Sequence, residues 1–343
     1  METPISRDRV VDRVKSLAIV LVLIIHSGIY TDPIGSPRWL GALAWGALAR
    51  PAVPLFFMCT GALLLSPERT LPLRRLFGRN LLRLLLAMWV WALVYKLVPL
   101  AAAGTLSAPA LWQALKEVLL FRQEFHFYYL HITLLVYLLL PLLRLLVRAG
   151  GDRLLDYALA LWFALGIVWP SLLPWWPFSL IDGFPLQYQL NMSYAAAGYA
   201  LLGWRLRRRP PERRTAWALL VFGLLCCFGG TWQLSRRDGM LSEFFFQGMG
   251  VPVCLMAAGV WSLLCRAPEP RPLDGAASYL SRASFCVYLV HILFLHLLRN
   301  HGFPPAALPP VLAVPLLALA LLVLSLAVYE ALRRVPWVKR WLV

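Results

Sequence analysis

The chain has 343 residues, of which 60% are hydrophobic, and it carries 33 Lys and Arg against 16 Asp and Glu, a formal net charge of +17. A mean hydropathy of +0.69 excludes a soluble globular core, and apolar runs long enough to cross a bilayer recur along the whole chain. The positive charge follows the loops between those runs, so it reports membrane topology and nucleic acid is not an expected partner.

Ten spans are expected, at about 11–30, 43–65, 80–100, 127–148, 154–173, 190–205, 214–233, 244–265, 281–299 and 308–331. This is an all-α, polytopic integral membrane protein with one transmembrane domain over 1–343, since no loop is long enough for a separate soluble domain. With the N-terminus inside, only Arg38, Lys116, Arg122, Arg236, Arg237 and Arg299 fall outside, and Arg50 and Lys96 lie within spans. Every other Lys and Arg is then cytoplasmic, which satisfies the positive-inside rule with both termini cytoplasmic. The first span is too long for a signal peptide and no small-residue cleavage site follows it, so it is expected in the mature protein. The six cysteines are scattered, apart from the vicinal pair Cys226 and Cys227, and indicate neither a disulfide framework nor a zinc site.

In span one, Lys15 and His26 are separated by ten almost wholly apolar residues. A histidine in a membrane span is costly, which makes His26 a functional candidate. Eleven steps of about 100° and 1.5 Å bring His26 back to within roughly 20° of Lys15, about 16 Å deeper. The cation would guard the mouth and the histidine would sit midway in, as a general base able to take a proton from a hydroxyl near neutral pH. Asp12 lies three residues before Lys15 and pairs with it at the helix entrance or shares the face of His26. Near the outer end of span two, Arg50 precedes Pro51 and Pro54; a charge there must face protein or water and can steady an oxyanion or a sugar.

At the cytoplasmic edge of span three, Arg75, Arg79 and Arg83 follow at four-residue spacing, which stacks three guanidinium groups on one helix face. So arranged they can grip phosphates, or they can be ordinary positive-inside flanking. With Lys15 at the same level, a phosphate-anchored cofactor would need an arm of roughly 16 Å to reach His26, about the reach of the phosphopantetheine arm of coenzyme A. Between spans three and four, residues 111–120 read as an amphipathic helix at the outer surface; 174–189, rich in Pro and aromatics, is a second candidate lid or platform.

His126 opens span four among aromatics that form either an interfacial belt or a substrate surface. On span nine, Ser284, Tyr288 and His291 share one face, with His291 at the depth expected of His26. Two deep histidines on different spans suggest a polar interior cavity, or a hydrogen bond between helices. No internal repeat and no paired Gly/Pro-interrupted spans are visible, which disfavours a carrier.

Lys15-x10-His26 resembles the Arg/Lys-x10-His signature of the membrane acyltransferase-3 family, and Val53-Pro54-Leu55-Phe56-Phe57-Met58-Cys59-Thr60-Gly61 resembles its VPLFFMISG segment, with Cys59 and Thr60 replacing Ile and Ser. His126-Phe127-Tyr128-Tyr129-Leu130 and Ser284-Phe285-Cys286-Val287-Tyr288-Leu289-Val290-His291 are similar to its HLWF and S-x3-Y-x2-H elements, and Ile181-Asp182-Gly183-Phe184 falls between them in the expected order. The resemblance implies a ten-span bacterial inner-membrane enzyme that moves an acyl group, usually acetyl from acetyl-CoA, to a hydroxyl of a surface-polysaccharide or lipid-linked glycan. It carries the essential histidine to His26 and its basic partner to Lys15. The family's Arg-x2-Arg is matched poorly, by Arg75, Arg79 and Arg83 at longer spacing.

The expected enzyme is therefore an O-acetyltransferase of the membrane, with His26, Lys15 and Arg50 catalytic, Lys15, Arg75, Arg79 and Arg83 binding acyl-CoA, and His126, Tyr288 and His291 binding the glycan acceptor. Its partners are acyl-CoA, the glycan and membrane lipids; nothing in the sequence calls for a metal. The alternative is a glycan exporter or flippase without covalent chemistry.

Overall fold

A computed structural model describes residues 8–267 and 269–342. Among the described residues the structure is all helical, with no strand. Eight helices among the described residues are long and apolar enough to cross a membrane, against the ten expected. The first helix, α1 (Arg9–His26), is 18 residues long but carries Arg9, Asp12, Arg13 and Lys15 in its opening turns. The other shortfall is the 17-residue helix Met192–Arg208, which ends in Arg205, Arg207 and Arg208.

Local signals set the boundaries. Asp8 caps α1, its carboxylate accepting from the N–H groups of Val10 at 2.9 Å and Val11 at 3.2 Å. The helix does not run on to residue 30 as expected: it ends at His26, with Ser27 as C-cap, ahead of the Gly28, Pro33 and Gly35 segment. His26 is therefore the last residue of α1 and not a mid-helix residue. Two carbonyls freed by that ending, those of His26 and Gly28, each accept from Arg299 at 3.1 Å.

The second span, Pro37–Leu64, breaks at Arg50 and Pro51 into α2 (Pro37–Ala49) and α3 (Ala52–Leu64). Ser36 caps α2 and Pro37 occupies its first turn. Next come α4 (Leu73–Ala102), which contains a π-helical stretch at Leu76–Leu81, and the amphipathic α5 (Ala108–Leu119), which realises the expected surface helix. Lys96 of α4 holds α5 through Glu117 at 2.9 Å, a half-buried pair that keeps the Glu117 carboxyl below the usual carboxylate range.

The remaining helices are α6 (Tyr128–Ala149), α7 (Gly151–Leu172), α8 (Met192–Arg208), α9 (Arg213–Asp238), α10 (Val251–Cys265), α11 (Asp274–Asn300), α12 (Pro310–Leu332) and the short α13 (Pro336–Trp341). The segment 174–189 forms two short 3₁₀ turns.

Helix α1 is the hub, packed by α2, α3, α10, α11 and α12. Its residues Val14, Ala18 and Ile19 are wholly buried. Helices α3 and α8 approach backbone to backbone, because a Cβ on Gly61 would overlap the Ala200 carbonyl and one on Gly203 would overlap the Met58 carbonyl. Basic residues of the N-terminal end of α1 and its neighbours do structural work as well as flanking lipid. Arg13, 8% exposed, pairs with Asp274 at 2.6 Å and donates to the carbonyls of Ala267 and Glu269. Arg207 reaches Asp8 at 3.0 Å, and Arg205 reaches Asp156 at 2.6 Å, so α1, α7, α8 and α11 are tied at one end.

Candidate active site

The end of the bundle that holds the start of α1 opens into a cavity of about 450 Å³ between α1, α3, α4, α6 and α11. Four cations stand in its wall, Lys15, Arg69, Arg83 and Arg282, together with Asn80. Deeper polar lining comes from Cys59 and Thr60 of the segment after Val53, from Thr133, Tyr129 and Tyr137 of α6, and from Ser281, Ser284 and Tyr288 of α11.

The three-arginine stack expected on α4 is not what lines the cavity. The helix passes through the π-helical stretch Leu76–Leu81, whose hydrogen bonds span one residue more than those of an α-helix and change the register of side chains along it. Arg83 and Asn80 face the cavity, with Arg83 over the Phe285 ring at 5.4 Å, whereas Arg75 and Arg79 are exposed and do not line it.

Two cations that sequence spacing did not single out line the cavity with Lys15 and Arg83. Arg69 sits in the loop after α3, held by its own hydrogen bond to the Leu63 carbonyl at 2.8 Å and by Arg144, which donates to the carbonyls of Leu64 and Arg69. Arg282 donates to Ser278 at 3.0 Å and precedes Ser284 by two residues. The only signal for Arg282 was its place beside the serine of the S-x3-Y-x2-H element; Arg69, in an irregular loop, had none.

Tyr288 marks the inner end of the cavity. Its hydroxyl donates to the backbone carbonyl of His126, whose ring centroid is 5.7 Å from its own. Beyond it, outside the wall of the cavity, three histidines from different parts of the chain meet. The ring centroids of His26 and His291 are 5.0 Å apart, those of His126 and His291 5.4 Å, and those of His26 and His126 6.4 Å.

His126 stands on the 3₁₀ turn Phe125–Phe127 that leads into α6, and both its ring nitrogens lack a hydrogen-bond partner. His291 is fully buried, with Nδ1 2.7 Å from the Tyr288 carbonyl and 3.2 Å from that of Val287, and with Nε2 unpartnered. His26 is half-buried, with the Phe125 ring 5.5 Å away. Tyr95 of α4 closes the side, 5.3 Å from the His126 ring, its hydroxyl donating to the Leu289 carbonyl at 2.9 Å.

Arg50 also lies on this side of the bundle, at the break between α2 and α3. Its guanidinium stacks over the Phe246 ring at 3.7 Å and has the Tyr30 hydroxyl as hydrogen-bonding neighbour. The structure thus brings His26, His126 and His291 into one cluster, joins Tyr288 to it, and places Lys15 and Arg83 in the cavity at the other end. Chemically, the arrangement offers cations able to bind an anion in a polar cavity and, beyond its wall, imidazoles with lone pairs or N–H groups to spare.

A family model described as an acyltransferase domain, that of the acyltransferase-3 family, matches residues 8–330. No curated protein and no solved structure matches the chain. The match takes in every candidate site residue from Lys15 to His291, and the chain belongs to the acyltransferase-3 family.

Proposed function

We propose that this protein is a membrane O-acyltransferase that moves an acetyl group from acetyl-CoA, bound at the cation-lined end, to a hydroxyl of a surface-polysaccharide or lipid-linked glycan. The observation that carries this reading is the continuity between the two ends. The cavity that begins at Lys15, Arg69, Arg83 and Arg282 runs to Tyr288, and Tyr288 is hydrogen-bonded to the residue that completes the histidine cluster around His26. Along α1 the rise from Lys15 to His26 is roughly 16 Å, the span of a phosphopantetheine arm between its phosphates and its thioester.

In this mechanism the cations neutralise the phosphates of the cofactor and the thioester lies past Tyr288. His26 takes the proton of the acceptor hydroxyl as that oxygen attacks the thioester carbonyl, a step of a kind that contributes about 10²–10⁴-fold. Arg50 is the cation beside the cluster that can stabilise the oxyanion or hold the sugar. Arg75 and Arg79, exposed at the edge of α4, are placed to draw an anionic cofactor towards the mouth. His126 and Tyr288 line the approach of the acceptor, and His291 stands against the His26 ring.

The fold we infer for the working enzyme adds α1 and α8 to the eight apolar helices, for ten spans with both termini cytoplasmic, in a bacterial inner membrane. On its motifs we also infer a relation to the enterobacterial common antigen O-acetyltransferase.

The test is binding and hydrolysis of radiolabelled acetyl-CoA by the purified protein in detergent, for the wild type, Lys15→Ala and His26→Ala. Saturable binding weakened in Lys15→Ala, with turnover lost but binding kept in His26→Ala, is the expected result. Absence of binding by monodisperse wild-type protein would sink the reading.

A further inference from the structure

We propose that His291 is the positioning residue of the base: it accepts a hydrogen bond from one ring nitrogen of His26, and so leaves the other free to take the acceptor's proton. The inference rests on the acyl-transfer reading for its chemistry, but its geometric core is independent of that reading.

A backbone carbonyl can only accept, so Nδ1 of His291, 2.7 Å from the Tyr288 oxygen, must carry the proton. The neutral imidazole then presents Nε2 as a lone pair. That atom is buried and unpartnered in a fully buried side chain, a costly state for an acceptor with no purpose. Ring nitrogens about 2.9 Å apart, each about 1.1 Å from its ring centre, put the centroids roughly 5.1 Å apart when the bond is in line. The His26 and His291 centroids are 5.0 Å apart, with ring planes inclined by 45°. Rotation of His26 about its broad χ2 well completes the bond, in keeping with the loose hydrogen bonds of catalytic groups before substrate binds.

His291 is unusually well anchored for this task. Its helix is held on one side by Tyr95, which donates to Leu289, and on the other by Tyr288, which donates to His126. The backbone carbonyls of His26 and Gly28 are held from the same helix by Arg299. Both ends of the pair are thereby referred to α11.

His126 does not suit the same role. Its ring is 6.4 Å from that of His26 and makes no hydrogen bond that would choose its tautomer.

In the transfer step the acceptor O–H proton passes to the free nitrogen of His26 while the new C–O bond forms. The His26 N–H that faces His291 stays in place and its bond to Nε2 strengthens as the imidazolium charge develops. When the C–S bond breaks, the departing thiolate takes the proton back from His26. His291 neither gains nor loses a proton and touches neither substrate.

Two readouts test this on the full-length protein in detergent. In the first, ¹⁵N-histidine NMR without any substrate compares the wild type with His291→Leu and His26→Ala. A His291 tautomer protonated at Nδ1, with a His26 resonance that moves from one tautomer to a mixture in His291→Leu, is the expected result. A His26 resonance indifferent to His291→Leu overturns the proposal whether or not the protein transfers acyl groups.

In the second, steady-state transfer should fall at least about a hundredfold in kcat for His291→Leu, with KM for acetyl-CoA within about twofold. His291→Gln, whose amide oxygen stands where Nε2 stood, should recover at least about tenfold of that loss. A rise in acceptor KM at unchanged kcat would make His291 a substrate-binding residue and overturn the proposal. Failure of the wild type to use acetyl-CoA would strike the acyl-transfer reading alone, since the spectroscopic comparison decides the pair by itself.

Discussion

At one end of the bundle Lys15, Arg69, Arg83 and Arg282 stand in the wall of an open cavity of about 450 Å³; at the other, His26, His126 and His291 pack ring against ring with several nitrogens unpartnered. The two regions share α1 and α11 and differ in what their polar groups can do without water. A guanidinium or ammonium cannot shed its charge cheaply, so it stays where water or a bound anion can reach it. An imidazole can be neutral, so three of them can pack together where a fixed charge would be costly. The division suits one end to hold a polyanion and the other to handle a proton.

The largest effect that would break this contrast is expected at His26. His26→Ala should lower transfer by about 10²–10⁴-fold while acetyl-CoA still binds. An equal loss of binding would mean that the two ends are not separate sites.

The next effect sharpens the other half. Arg69→Ala with Arg282→Ala should weaken acetyl-CoA binding by roughly 2–4 kcal/mol, since each charge-assisted contact is worth about 1.5–3 kcal/mol in full and less where exposed. Arg75→Ala with Arg79→Ala should change it far less. Titration by equilibrium dialysis distinguishes the pairs, and equal losses would move the phosphate site to the exposed face of α4.

A smaller effect tests the scaffold between the ends. Gly61→Ala inserts a methyl group against the Ala200 carbonyl and should destabilise by about 1–3 kcal/mol, whereas Gly229→Ala, with nothing near its Cβ, should not. Thermal unfolding in detergent is the check, and coincident curves for the two would remove the close approach of α3 and α8 from the account.

The smallest effect is pH-dependent. The Glu117 carboxyl is held below its ordinary value by hydrogen bonds from Lys96, first, and Gln113. A depressed carboxyl stabilises above its unfolded pKa, about 4.3, and loses that contribution as pH falls through the lower folded value. Hydrogen exchange of α5 should therefore quicken only under acid conditions, and the dependence should vanish in Glu117→Gln.

The α-helical, membrane-spanning class and the amphipathic α5 follow from hydropathy and period, which are properties of neighbouring residues. The separation of Lys15 and His26 was legible because one helix, α1, relates them. That Arg83 lines the cavity while Arg75 and Arg79 do not was not legible, because four-residue spacing assumes a regular helix and a π-helical stretch has no comparable signature in composition. Arg69 had no signal because it reaches the cavity wall from a loop, where no periodicity says which way a side chain faces.

The sequence by itself determined which segments are apolar enough to leave water and which residues are too polar to do so without a reason. Burial of hydrocarbon and the cost of a buried polar group are local quantities, additive along the chain. Only the tertiary structure decided that His26, His126 and His291, up to 265 positions apart in the numbering, face one another, and that Tyr288 joins them to the cations. That meeting depends on how each helix is rotated about its own axis, and the rotation is set by close packing such as that of α3 on α8, by the break at Arg50 and Pro51, and by the π-helical stretch of α4.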